Sequence, residues 1–116
     1  MYKVLTIDGR EVPMIANAAT PYRFKGVFHE DLLRFFQEVS SKGLEDMGTA
    51  EVMQKLGFIM AMQAEKADFS KINTDKYVEW LEGFSEPMAL LMAAGQIMGV
   101  YTGQTETDTT AKKEEG

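Results

Sequence analysis

The sequence predicts an α+β fold, predominantly α-helical: an N-terminal β-hairpin, about four to five helices, and a disordered C-terminal tail. Three observations carry that prediction. Asp8-Gly9 separates two short apolar runs, a strong hairpin signal because both turn positions favour positive φ. From Thr20 onward, apolar residues recur at helical spacing between capping residues. After Tyr101 no large apolar residue remains. With 116 residues, 45% of them hydrophobic, the chain can build one domain with a modest core. The expected division is a folded domain over 1–101 and a polar tail over 102–116.

Val4, Leu5 and Ile7 form the outgoing strand of a hairpin over 2–16, and Val12, Met14 and Ile15 the return. Pro13 lacks an amide donor, so the return strand belongs at an edge or the ladder stops there. Thr20 is a suitable N-cap and Pro21 suits the first helical position, ahead of the apolar face Phe24, Val27 and Phe28. A second run holds Leu32, Leu33, Phe35, Phe36 and Val39. Either Asp31 caps it, or the two pieces are one helix bent near Gly26. Gly43 is available for the left-handed position at its end. Thr49 caps a helix over about 50–66, whose apolar set from Val52 to Met62 exceeds one stripe and predicts a central position. Residues 68–73 read as a loop, Thr74 caps a short helix bearing Tyr77, Val78, Trp80 and Leu81, and Pro87 opens a last helix over about 86–101.

Twelve Lys and Arg against eighteen Asp and Glu give a net charge of −6, which disfavours a counterion-releasing nucleic-acid surface. The absence of Cys excludes a disulfide framework, a thiolate zinc site and a cysteine nucleophile. A single His leaves little material for histidine-based catalysis. The start of the chain is apolar for too few residues to read as a signal peptide, Asp8 and Arg10 interrupting it. The apolar stretch from Met88 to Tyr101 is about 14 residues, short of the roughly 20 a membrane span requires. The expectation is a soluble protein with neither nucleic acid nor membrane among its partners.

No enzyme site emerges. His29-Glu30-Asp31 joins an imidazole to carboxylates, but consecutive helical residues diverge, so the cluster reads as an exposed helix start. Glu45-Asp46 and Glu114-Glu115 carry no catalytic spacing, and Gly48 and Gly57 do not form a phosphate loop. Tyr22, Phe24, Phe28 and Phe35, interleaved with Arg23, Lys25 and Arg34, are expected to be core, with the cations solvated opposite. No cofactor or metal site is expected.

Methionine is the informative excess, with eight beyond Met1. Flexible thioethers fill irregular gaps and also recur on surfaces that adapt to partners. In the last helix Met88, Leu91, Met92 and Met98 lie on one stripe, while Leu90, Ala93, Ala94 and Ile97 cover much of the rest. A terminal helix of a small domain seldom buries both faces, so the stripe is the expected partner-binding surface, for another chain or for a copy in a homo-oligomer.

The block Glu11-Val12-Pro13-Met14-Ile15-Ala16-Asn17-Ala18-Ala19-Thr20-Pro21-Tyr22-Arg23-Phe24-Lys25-Gly26-Val27-Phe28-His29-Glu30-Asp31-Leu32-Leu33 resembles the tail assembly chaperones of long-tailed phages and prophages of Gram-positive bacteria. The likeness continues at pattern level through Leu56-Gly57-Phe58-Ile59-Met60-Ala61 and Tyr77-Val78-Glu79-Trp80-Leu81, covering about residues 4–101. His29 departs from it, since relatives tend to have Gly there. The resemblance implies a non-catalytic protein of the bacterial host cytoplasm, not expected in the mature virion. Such a protein binds the tape measure protein and keeps it soluble during tail assembly. It also implies a longer product made by ribosomal frameshift, whose added domain recruits the tail tube protein. Lys112-Lys113 permits the A-rich codons on which such a slip depends. Two other classes are a structural tail or connector subunit of the phage particle, and an acidic regulator that binds a host protein.

Overall fold

The computed structural model describes residues 2–42 and 47–103, with side chains given for 2–37 and 50–103. Strand β1 (Tyr2–Ile7) and strand β2 (Arg10–Ile15) form a two-stranded antiparallel hairpin. Asp8 and Gly9 hold the turn at φ 57° and 74°, the paired positive values of a tight two-residue hairpin turn. The register sets Ile7 against Arg10, Leu5 against Val12 and Val4 against Pro13. If the turn-closing pair exchanges hydrogen bonds, alternation leaves Val4 and Pro13 in a pair that exchanges none, so proline removes no rung. The ladder therefore runs past Pro13 to Tyr2 opposite Ile15. Leu5, Ile7, Val12 and Met14 point inward and are buried, while Tyr2, Val4 and Thr6 point out.

Six helices follow among the described residues, which are 61% helical, an α+β and mostly helical fold. Helix α1 (Thr20–Phe28) starts from a turn in which the Asn17 carbonyl accepts from Thr20 N–H at 3.0 Å. Thr20 is not its N-cap, as the sequence suggested. Ala19 holds that position, and Thr20 is buried as the first helical residue. His29 ends the helix at φ 59°, its N–H donating to the Lys25 carbonyl. That left-handed residue makes α1 and α2 (Leu32–Lys42) two separate helices, not one bent at Gly26. The Asp31 carboxylate accepts from Leu33 N–H at 3.0 Å and caps α2.

Helix α3 (Met47–Ala64) begins before Thr49 and forms the axis of the domain. It packs against β2, α1 and α2, and against the three helices after it. Residues 56–63 are buried without a break, which explains the absence of a single stripe. At Gly57 the backbone approaches its neighbours closely, since a Cβ there would lie 3.0 Å from Ile97 Cδ1 and 3.4 Å from Met14 Cε. The helix closes with Lys66 at φ 59°, Lys66 N–H donating to the Gln63 carbonyl and Ala67 N–H to the Met62 carbonyl.

The expected loop over 68–73 contains one 3₁₀ turn, Phe69–Lys71, capped by Asp68. Helix α4 (Thr74–Glu82) is capped by Asn73, not Thr74: the Asn73 amide oxygen accepts from Lys76 N–H at 3.0 Å. The single last helix expected over 86–101 is two, α5 (Ala89–Met92) and α6 (Ala94–Thr102), divided at Ala93 with φ −89° and ψ 5°. The break lets Leu90 of α5 and Ile97 and Val100 of α6 all reach the core. Beyond Gly103 the expected tail lies outside the described residues, as does Gly43. No described helix is long and apolar enough to cross a membrane.

A candidate partner-binding surface

The surface is built on α4, α5 and the segment between them. Asn73 starts α4, whose inward residue Tyr77 is fixed by a hydrogen bond from Gln54 Nε2 at 2.8 Å. Burial, the larger effect, raises the Tyr77 phenol above its ordinary value of 10.0, although that bond opposes the shift. Trp80 sits among Phe58 at 5.5 Å and Phe84 at 5.1 Å, ring centre to ring centre, tying α4 to α3. With Tyr77 and Trp80 engaged inward, Val78 turns outward and is exposed.

The hairpin turn fixes the α4–α5 connection. Asp8 Oδ2 accepts from Ser85 N–H at 2.8 Å, Ser85 Oγ at 3.1 Å and Glu86 N–H at 3.4 Å. The Ser85 N–H, first among these, holds the Asp8 carboxyl below its ordinary value of 3.8. Arg10 Nη1 donates to the Gly83 carbonyl at 2.7 Å, and its guanidinium lies 4.4 Å from the Phe84 ring centre. Glu86 accepts from Met88 N–H at 3.0 Å and so starts α5.

Of the four residues expected to bind a partner, three gather on α5. Met88 is its N-cap and 43% exposed, Leu91 is half-buried, and Met92 is 79% exposed. Met98 is separated from them by the break at Ala93. It sits half-buried on α6 and packs against the core. The continuous stripe is therefore shorter than expected, and Val78 of α4, which the sequence did not single out, extends it sideways. A shallow groove of about 380 Å³ runs between the two helices, lined by Val78, Leu81, Phe84, Leu90 and Leu91.

The other sequence candidates are dispersed. His29 is an exposed helix end, Glu30 pairs with Lys55 at 3.0 Å, and Asp31 caps α2, so the triplet does not converge. Among the described residues no three His, Cys, Asp or Glu side chains are grouped to hold a metal. Glu45-Asp46 and Glu114-Glu115 lie outside the described residues. Phe24 and Phe35 are core and Phe28 is half-buried, whereas Tyr22 is exposed. Arg23 is not simply solvated opposite them. It donates to Gln63 Oε1 at 3.2 Å and covers the Phe69 ring at 4.6 Å.

Sequence reasoning missed Gln63. Its Nε2 donates to the Ile15 carbonyl at 2.6 Å and to Thr20 Oγ1 at 2.9 Å, and its Oε1 accepts from Arg23. One buried amide thus joins the hairpin, α1 and α3. The available signal was a lone polar residue in an otherwise apolar helical run. Comparison with protein-family models, with curated proteins and with solved structures returns no match.

Proposed function

We propose that this chain is a non-catalytic phage tail assembly chaperone that binds the tape measure protein in the bacterial host cytoplasm and keeps it soluble during tail assembly. The observation that carries the proposal is the exposed apolar set Met88, Met92 and Val78 beside a groove that the domain leaves open. A soluble domain gains nothing from such a patch unless another surface covers it for part of the time. Thioethers suit a client offering many variants of one apolar face, because they repack at little cost. The resemblance of residues 11–33 supports the same assignment.

Co-expression tests it. The tape measure protein encoded beside this gene should stay soluble with the chain and aggregate without it. A tape measure protein equally soluble alone would count against the assignment. Light scattering on the same samples measures self-association, the other use of an apolar face. The proposal includes the longer frameshift product: codons for Lys112-Lys113 should form a slippery sequence followed by an overlapping reading frame. A domain joined there would hold a recruited tail tube subunit close to the client.

A further inference from the structure

We propose that the α4–α5 groove receives the apolar face of a basic amphipathic helix. The proposal deepens the chaperone assignment by naming the chemistry of the segment bound, and it rests on that assignment only for the identity of the client. Charge is the first argument. The charged side chains lining the groove are Glu82, which ends α4, and Glu86, which precedes α5. Arg10 reaches Phe84 but is turned to the Gly83 carbonyl and does not line the groove. An apolar trough between two carboxylates attracts a ligand with an apolar stripe flanked by Lys or Arg.

Shape is the second argument. Val78, Leu81 and Glu82 lie on α4 and Leu90 and Leu91 on α5, and in the connection between them the Ser85 and Glu86 N–H groups are taken by Asp8, so an extended strand would find no ladder to join. A helix laid between two helices instead sets side chains at i, i+3, i+4 and i+7 into the trough. Val78, Leu81 and Leu91 supply apolar contacts along its length, and the exposed Met88 follows Pro87 of the lining. A second copy fits less well. In a two-fold contact the same patch meets itself, bringing Glu82 and Glu86 against acids of like charge.

The test uses the full chain and synthetic peptides of about 18 residues, five helical turns, without Trp, with Trp80 as the emission probe and calorimetry as a second readout. One peptide carries Leu at amphipathic spacing with Lys elsewhere; another has the same composition with Leu dispersed; a third replaces Lys by Glu. The first should bind saturably, one per chain, and the other two should not. Glu82→Lys with Glu86→Gln keeps the side-chain oxygen that accepts from Met88 N–H and should weaken binding about tenfold. Val78→Gln with Met88→Gln should weaken it similarly. Glu11→Lys with Glu65→Gln, the same change in charge at other exposed positions, should leave it unchanged. Circular dichroism confirms that each variant is folded.

Failure of the first peptide to bind, equal binding of all three, or equal loss in the Glu11/Glu65 variant overturns the proposal. So does a dimer that dissociates when Val78 and Met88 are replaced. If the chain ignores the Leu–Lys helix yet keeps the tape measure protein soluble, the groove assignment falls and the chaperone assignment stands. If it binds the helix but leaves the tape measure protein to aggregate, the chaperone assignment falls and the groove stands.

Discussion

Gln63 is the residue on which most separate elements depend. Replacing it by Ala strands the Ile15 carbonyl and removes partners from Thr20 and Arg23. The expected loss is about 1–3 kcal/mol, the cost of leaving a part-buried acceptor unpaired, measured by urea denaturation. His29→Gly should act in the opposite direction. A left-handed residue with a side chain is strained, and Gly relieves that strain at some cost in unfolded-state entropy, for a net gain of about 0.5–1 kcal/mol. Asp8 adds a pH-dependent contribution. Its folded carboxyl ionises below its ordinary value of 3.8, so its stabilisation is complete above that value and lost as pH falls through the lowered one. Wild type should exceed Asp8→Asn in stability near pH 7, and the difference should shrink in denaturation curves taken below about pH 4. Local pattern shows Gln63 only as a lone polar residue in an apolar run, and shows nothing of the roles of His29 and Asp8. Each depends on a backbone angle or on a partner far along the chain.

At the scale of elements, the hairpin and α3 were the most legible. Asp-Gly between apolar runs fixes a turn locally, and an apolar helix with no polar face has nowhere to lie but inside. Gly57 tests the second point. Gly57→Leu must place a branched side chain between Met14 and Ile97, and should cost about 1–3 kcal/mol through overpacking, against the gain in helix propensity. A neutral result in thermal unfolding would mean that α3 is less closely packed there than described. The last helix was the least legible element. Ala93 is a good helix former, with neither Pro nor Gly at the break, and the apolar period continues through it. Two short helices that each bury a face leave the same periodic trace as one long helix. The candidate site inherits that ambiguity: Met88, Leu91 and Met92 stay together, Met98 falls on the neighbouring helix, and Val78 joins only through tertiary packing.

At the scale of the whole molecule, a packed core and an exposed apolar edge are distinct. The aromatic rings of Phe24, Phe28, Phe58, Trp80 and Phe84 run in successive contact from α1 through α3 to the α4–α5 segment, with Tyr77 packed against Phe28 and Phe58. The hairpin turn braces that segment from the other side through Asp8 and Arg10. The groove therefore stands on the core, and substitutions at its exposed rim should change binding more than folding. Met88→Lys with Met92→Lys should alter stability by no more than about 0.5–1 kcal/mol while reducing recovery of the tape measure protein. Limited proteolysis should remove the polar residues after about 103 and leave a resistant domain. The most direct measurement is hydrogen–deuterium exchange of the chain with and without the tape measure protein. Slowed exchange concentrated between Val78 and Met92, and absent from the outward face of the hairpin, is the expected result. Unchanged exchange over that segment, in a complex shown to be intact, would contradict the placement of the client on this edge of the molecule.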